Sequence, residues 1–226
     1  MAPQLITLTG ADERTDIDAL VELVRTNPLV EIGLLYTATP EGRPRYPSRA
    51  WLREAAAALS GRCAIHVCGG GARRELLAGE LGDLTRHAPR VQLNGILTLD
   101  VATEACRFAD TLITQHHELN QQLLGVPARN HALLVDGSGG QGIAPAAWMA
   151  PDTEKPVGFA GGLGPQTLAD QLSAISAVAN DGAWVDMEGK LRVKDWFSVE
   201  FARECADIFA SATTSPTPVT RPRRRP

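Results

Sequence analysis

One pattern recurs eight times along this chain: a short apolar run, then a longer stretch of other character. The apolar runs are Leu5–Gly10, Val30–Tyr36, Cys63–Cys68, Val91–Gly95, Thr111–His116, His131–Asp136, Pro156–Ala160 and Ala183–Met187. Each is short and rich in β-branched or aliphatic residues, which reads as a buried strand. Helical spacing follows most of them. In Thr15–Arg25 the apolar residues Ile17, Leu20, Val21 and Val24 line one face, Asp12 or Thr15 is placed to cap it, and Pro28 ends it. Ser48 precedes a helix over Arg49–Leu59, closed by Gly61. Further helices are expected over Ala72–His87, Asp100–Phe108, Glu118–Leu124, Pro165–Ala179 and Val199–Ala210, and a glycine-rich loop follows the sixth strand. Crossovers of this length permit parallel pairing. Eight such units close as a single (β/α)8 barrel. A doubly wound open sheet usually stops at about five or six strands and carries its glycine fingerprint after the first. Here that position reads TGAD.

Composition agrees. Hydrophobic residues are 44% and charged residues 21% of the 226, which excludes wholesale disorder. Aromatics are only 5%, so the core must be aliphatic. The net charge is −4, but four arginines (Arg221, Arg223, Arg224 and Arg225) lie near the end of a Pro/Thr/Arg-rich stretch, Thr213–Pro226, that contains no acid. That stretch is expected to be a disordered tail outside a barrel of residues 1–212. The remainder holds 18 basic against 26 acidic residues, a poor general nucleic-acid binder. Cys63, Cys68, Cys106 and Cys205 have no CxxC spacing and read as reduced, mostly buried thiols. No signal peptide and no apolar run of spanning length is evident, so the expectation is a cytoplasmic protein without a membrane partner. The oligomeric state is left open.

The chemistry concentrates at the ends of the last three strands. LLVDGSGGQG places Asp136 before Gly139 and Gly140; FAGGLGPQTL places Gly161 and Gly162 before a helix start; VDMEGKLR places Asp186, Glu188, Gly189 and Lys190 after the eighth strand. Barrel enzymes build their sites on that face. Glycines let backbone N–H groups approach an anion, and a helix start adds partial positive charge. A phosphate held between the seventh and eighth loops is the physical expectation.

These segments resemble the phosphoribosylanthranilate isomerase family. Asp136 with Gly139–Gly142 matches the family's Asp and GG-x-G after its sixth strand, and Gly161-Gly162-Leu163-Gly164-Pro165 its GGL-x-P. Val91–Gly95, VQLNG, is similar to VQLHG; Tyr36 with Arg45-Tyr46-Pro47-Ser48 fits the second loop; Val185-Asp186-Met187 stands where the family has VDV. The resemblance implies a barrel that binds a phosphorylated sugar and performs an Amadori-type aldose–ketose isomerisation, with no cofactor. It implies Asp136 as acid, and Arg45 as anchor for a carboxylate, with Gln92, Asn94 and Asp186 beside the substrate. Gly139, Gly140, Gly161, Gly162, Gly189 and Lys190 would hold phosphate.

The departures bear on chemistry. Thr9 stands where the family has its catalytic Cys, and a threonine hydroxyl barely ionises near neutral pH. The Ser-Ser-Gly segment of the eighth loop is Met187-Glu188-Gly189-Lys190; Glu188 would repel a phosphate, while Lys190 and Arg192 would attract one. Candidates for the missing base are Cys68, whose thiol a helix start would acidify, and Glu188, which shares strand parity with Asp186. His66, His116 and His117 are further titratable residues, and Glu188 has an alternative role in neutralising Lys190 or Arg192. Without HxH or HExxH spacing no metal is expected, and neither Lys155 nor Lys190 is placed for a Schiff base. The alternative to an enzyme is a phosphate- or nucleotide-binding barrel that has lost its chemistry. Trp184 and Trp196 flank the eighth loop and are expected near any ligand.

Overall fold

The computed structural model describes residues 1–40, 42–136 and 142–214. Eight parallel strands pair in chain order and close into a barrel: β1 (Leu5–Thr9), β2 (Val30–Tyr36), β3 (Cys63–Val67), β4 (Arg90–Leu93), β5 (Thr111–His116), β6 (His131–Val135), β7 (Val157–Ala160) and β8 (Trp184–Met187). The last pairs with the first, Thr7 opposite Asp186 and Leu8 opposite Met187. The expected (β/α)8 class is the observed one.

Helices form where the apolar spacing predicts them, with shifted ends. Helix α1 (Ile17–Thr26) is capped by Asp16, whose carboxylate accepts the Asp18 N–H. Asp12 and Thr15 bond each other instead, Thr15 Oγ1 accepting the Asp12 N–H at 3.0 Å. Ser48 caps α2 (Arg49–Ala58), accepting the Trp51 N–H. The expected long third helix is two, α3 (Gly69–Leu77) and α4 (Gly82–Thr85), because Gly79 turns the chain at φ +75°. Next come α5 (Leu99–Ala105), extended by a 3-10 turn, and a 3-10 segment over Glu118–Gly125. Helix α6 (Leu168–Val178) starts later than Pro165 because the Gly164 carbonyl accepts both the Thr167 and Leu168 N–H groups. Helix α7 (Val199–Thr214) runs two residues past the expected start of the tail; residues 215–226 lie outside the described residues.

Sequence reading missed one element. A 3-10 turn at Gly189–Leu191 leads into an antiparallel hairpin, β9 (Arg192–Val193) and β10 (Trp196–Phe197). Its turn residues Lys194 and Asp195 have φ of 49° and 66°, a left-handed conformation that Asn-Gly usually signals. Asp12, fully buried, holds the hairpin: its Oδ2 accepts the Phe197 N–H at 2.8 Å and an Arg192 Nη2 hydrogen at 3.2 Å.

Alternation along the strands separates two cores. Outward residues such as Ile6, Leu8, Ile32 and Phe159 are buried under the helices with Leu20, Leu52 and Phe209. Inside the barrel a smaller apolar cluster joins Ile113, Ala132, Leu134 and Trp184. Trp184 therefore lies at the start of β8, on the barrel floor, and not at the ligand rim where its sequence position suggested. A Cβ on Gly158 would lie 2.2 Å from the indole, so a glycine is required beside it. Trp196 stacks under the Arg14 guanidinium, 3.6 Å from the ring centroid. All four cysteines are free and buried.

Candidate active site

Beyond the C-terminal ends of the strands opens a cavity of about 1200 Å³. Thr9, Arg45, His66, Cys68, Gln92, Asn94, Asp136, Gly161, Gly162, Asp186, Glu188, Gly189 and Lys190 all line it. Among the described candidates the topology thus gathers all but two histidines. Gly139 and Gly140 lie outside the described residues. His116 and His117 do not line the cavity; His117 instead accepts the Leu119 N–H. Lys155 donates to the Val126 carbonyl. Among the described residues no group of three or more His, Cys, Asp or Glu is arranged to hold a metal ion.

The centre of the site is the end of β8. Asp186 is 5% exposed and accepts a hydrogen bond from Thr9 Oγ1 at 2.8 Å. Its second carboxyl oxygen lies 3.8 Å from His66 Nε2. Burial pushes the carboxyl up to about 7, with the Thr9 bond and the Arg90 charge acting the other way. His66 is the converse: burial, with the positive Arg90, pushes it down to about 3, so it is neutral. Gln92 packs against its other ring nitrogen. The Gln92 amide nitrogen lies 3.3 Å from Nδ1 and also donates to Asn94 Oδ1 at 2.8 Å, while the buried Nε2 faces Asp186 without a hydrogen-bond partner among the described residues. Asn94 Nδ2 in turn donates to Cys68 Sγ at 3.2 Å. A chain of polar side chains thus crosses the barrel mouth from thiol to carboxyl.

Cys68 departs from expectation. Its thiol is pushed up, not down, because burial outweighs the hydrogen bonds from Asn94 and Tyr46 and the nearby Arg45 charge. Between the two, Asp186 is the group that exchanges a proton near neutral pH.

Beneath this layer lies a buried pair that sequence reading passed over. Arg90 Nη1 lies 3.0 Å from Glu31 Oε2, Thr7 donates to the same carboxylate, and the Arg90 guanidinium sits 4.2 Å over the Trp184 ring. The available signal was parity: Glu31 shares a face with Gly33 and Leu35, and Arg90 with Gln92 and Asn94, so both charges point inward.

At the rim, Glu188 pairs with Arg45 and with neither Lys190 nor Arg192. Arg192 is not open to an anion, since it donates to the Gly10 carbonyl at 2.7 Å and to Asp12. The glycine pair after β7 has a local explanation. Gly161 and Gly162 sit at φ +123° and +63°, and a Cβ on them would lie 2.7 Å from the Ile143 carbonyl oxygen and 2.6 Å from the Ala144 nitrogen. Their bareness admits the chain's own segment after β6.

No protein-family profile and no curated protein sequence matches the chain. Solved structures do. A phosphoribosyl anthranilate isomerase from Thermus thermophilus superposes with a TM-score of 0.66 at 20% identity, covering 92% of this chain and 98% of its own. A phosphoribosyl anthranilate isomerase in complex with reduced 1-(o-carboxyphenylamino)-1-deoxyribulose 5-phosphate gives 0.67 at 16% identity, with 93% and 100% covered. The chain has the fold of these isomerases. The barrel is not confined to that chemistry: a phospho-2-dehydro-3-deoxyheptonate aldolase from Thermotoga maritima superposes with 0.59 at 13% identity, over 93% of this chain and 69% of its own.

Proposed function

We propose that the barrel binds a phosphorylated aldose derivative and isomerises it to the ketose by acid–base chemistry, with Asp186 as the base that Thr9 cannot be. The observation that carries this reading is Asp186 itself: a carboxyl held near neutrality at about 7, buried at the mouth of a large cavity and fixed by Thr9. A catalytic group is most effective when it exchanges its proton near the working pH.

In this scheme Asp136 protonates the ring oxygen as the C1–O bond breaks, and an iminium forms at C1. The Asp186 carboxylate removes the C2 proton, giving an enolamine; the enol O–H proton then passes to Asp136 while Asp186 returns its proton to C1, so the ketone forms and both carboxyl groups end as they began. The Thr9 hydroxyl donates to one carboxylate oxygen and, with the Arg90 charge, favours the charged form of the base, while His66 Nε2 faces the other oxygen at 3.8 Å. Lys190, on the rim, is the cation for phosphate. The fold shared with the isomerases supports the reaction class.

The test is turnover of N-(5-phosphoribosyl)anthranilate and of its carboxylate-free counterpart N-(5-phosphoribosyl)aniline, read by mass spectrometry after borohydride trapping of the ketose. Wild-type protein converts at least one of them. Asp186→Asn lowers kcat/KM by about 100-fold or more, the span typical of a lost general base, and Asp136→Asn does likewise. Wild-type protein that binds both without turnover reduces the reading to a binding barrel; no binding at all overturns it.

A further inference from the structure

Resting on that reading, we infer that Glu188 makes the site selective against ligands carrying a carboxylate beside the sugar: it is an internal carboxylate already seated on Arg45. Three observations carry this. Arg45 is a half-buried guanidinium lining the cavity, and its ion-pair partner comes from the chain itself. Gly10 makes room for Glu188, since a Cβ there would lie 3.2 Å from the Glu188 Cγ, and the Glu188 charge acts on Asp186 two residues earlier. Lys190 and Lys194 line the same cavity and join none of the described ion pairs.

Charge therefore divides the cavity into two zones. The rim offers unpaired ammonium groups to a dianionic phosphate. The interior around Arg45 is neutral overall, with Glu188 balancing the guanidinium and Tyr46 and Cys68 uncharged beside it. A ligand carboxylate entering there must displace Glu188, leaving that anion near Asp186, or lie against it as a like charge; either opposes binding. A hydroxyl, amine or plain aryl group meets no such opposition. The ligand class is thus a sugar phosphate whose substituent at C1 carries no negative charge.

Two probes differing only in the carboxylate decide the matter: reduced 1-(o-carboxyphenylamino)-1-deoxyribulose 5-phosphate and reduced 1-anilino-1-deoxyribulose 5-phosphate. Their dissociation constants are measured by titration calorimetry for wild-type protein, Glu188→Gln and Glu188→Ser. Wild type binds the anilino probe at least about tenfold more tightly, and both variants erase or reverse that ratio by tightening the carboxylated probe alone. Tighter binding of the carboxylated probe by wild type, or an unchanged ratio in both variants, overturns the inference while leaving phosphosugar binding intact. Failure of wild type and variants to bind either probe overturns the phosphosugar reading, and this inference with it.

Discussion

The barrel interior has two unlike halves. On β1 to β4 and the upper part of β8 it is polar: Thr7, Thr9, Glu31, His66, Gln92 and Asp186 are buried, Arg90 is partly so, and nearly all are hydrogen-bonded. On β5 to β7 it is apolar or bare: Ile113, Ala132, Leu134, Gly158 and Ala160 pack around the Trp184 indole. The difference teaches where the barrel tunes its charges and where it only fills space. Proton affinities are tuned in the polar half, where desolvation and fixed charges act together. Gly161 and Gly162, which suggested part of a phosphate cradle, follow β7 in the apolar half, and there they admit backbone from residues 143–144.

Breaking the polar half should cost most. Arg90→Met leaves Glu31 as an uncompensated buried anion, and urea unfolding should show a loss of about 3–5 kcal/mol. The double variant Glu31→Leu/Arg90→Met should lose less than the single one; a larger loss would mean that the pair itself stabilises the barrel.

Next comes pH. Because Asp186 keeps its proton more tightly when folded than its ordinary 3.8, the stability it contributes is fully present below about pH 4 and is lost as pH rises towards about 7. Asp186→Asn removes that loss. Measured against wild type, the variant should gain about 2 to 3 kcal/mol between pH 5 and pH 8 in urea midpoints converted to free energy. A flat difference would place Asp186 among ordinary carboxylates and remove the basis for its role.

The apolar half should respond to volume alone. Gly158→Ala drives a methyl into the Trp184 ring and should cost about 1–3 kcal/mol, with no pH dependence of that cost between pH 5 and pH 8. A pH-dependent loss would mean that Trp184 transmits to Arg90, which it contacts, and that the two halves are not independent.

Much of the fold was legible. β2 and β5 begin and end where their apolar runs do, since runs this short, aliphatic and bounded by loop residues suit a buried strand and are too short for a helix. The β9–β10 hairpin was not legible, because its turn is Lys194-Asp195 with no glycine to announce it. Within the site, Asp186 was nameable from strand parity, yet its proton affinity comes from burial, which no local sequence encodes. The partner of Glu188 is Arg45, 143 residues away, and spacing along the chain pointed to nearer cations instead. Arg90 lay one residue before the run read as the fourth strand, so its inward direction went unread.

The Thr9–Asp186 hydrogen bond spans 177 residues and lies across the seam where the last strand meets the first. Asp12 reaches the β9–β10 hairpin over the same seam, and the Gln4 N–H donates to the Ala183 carbonyl there. Thr9 and Asp186 therefore meet only when β8 has joined β1. A chain still being synthesised, or cut before β8, possesses neither the carboxyl nor the closure that dries it, however much of the barrel has formed. A ligand bound at this seam would favour the closed ring over every open one, and so act as a clasp between the first strand and the last.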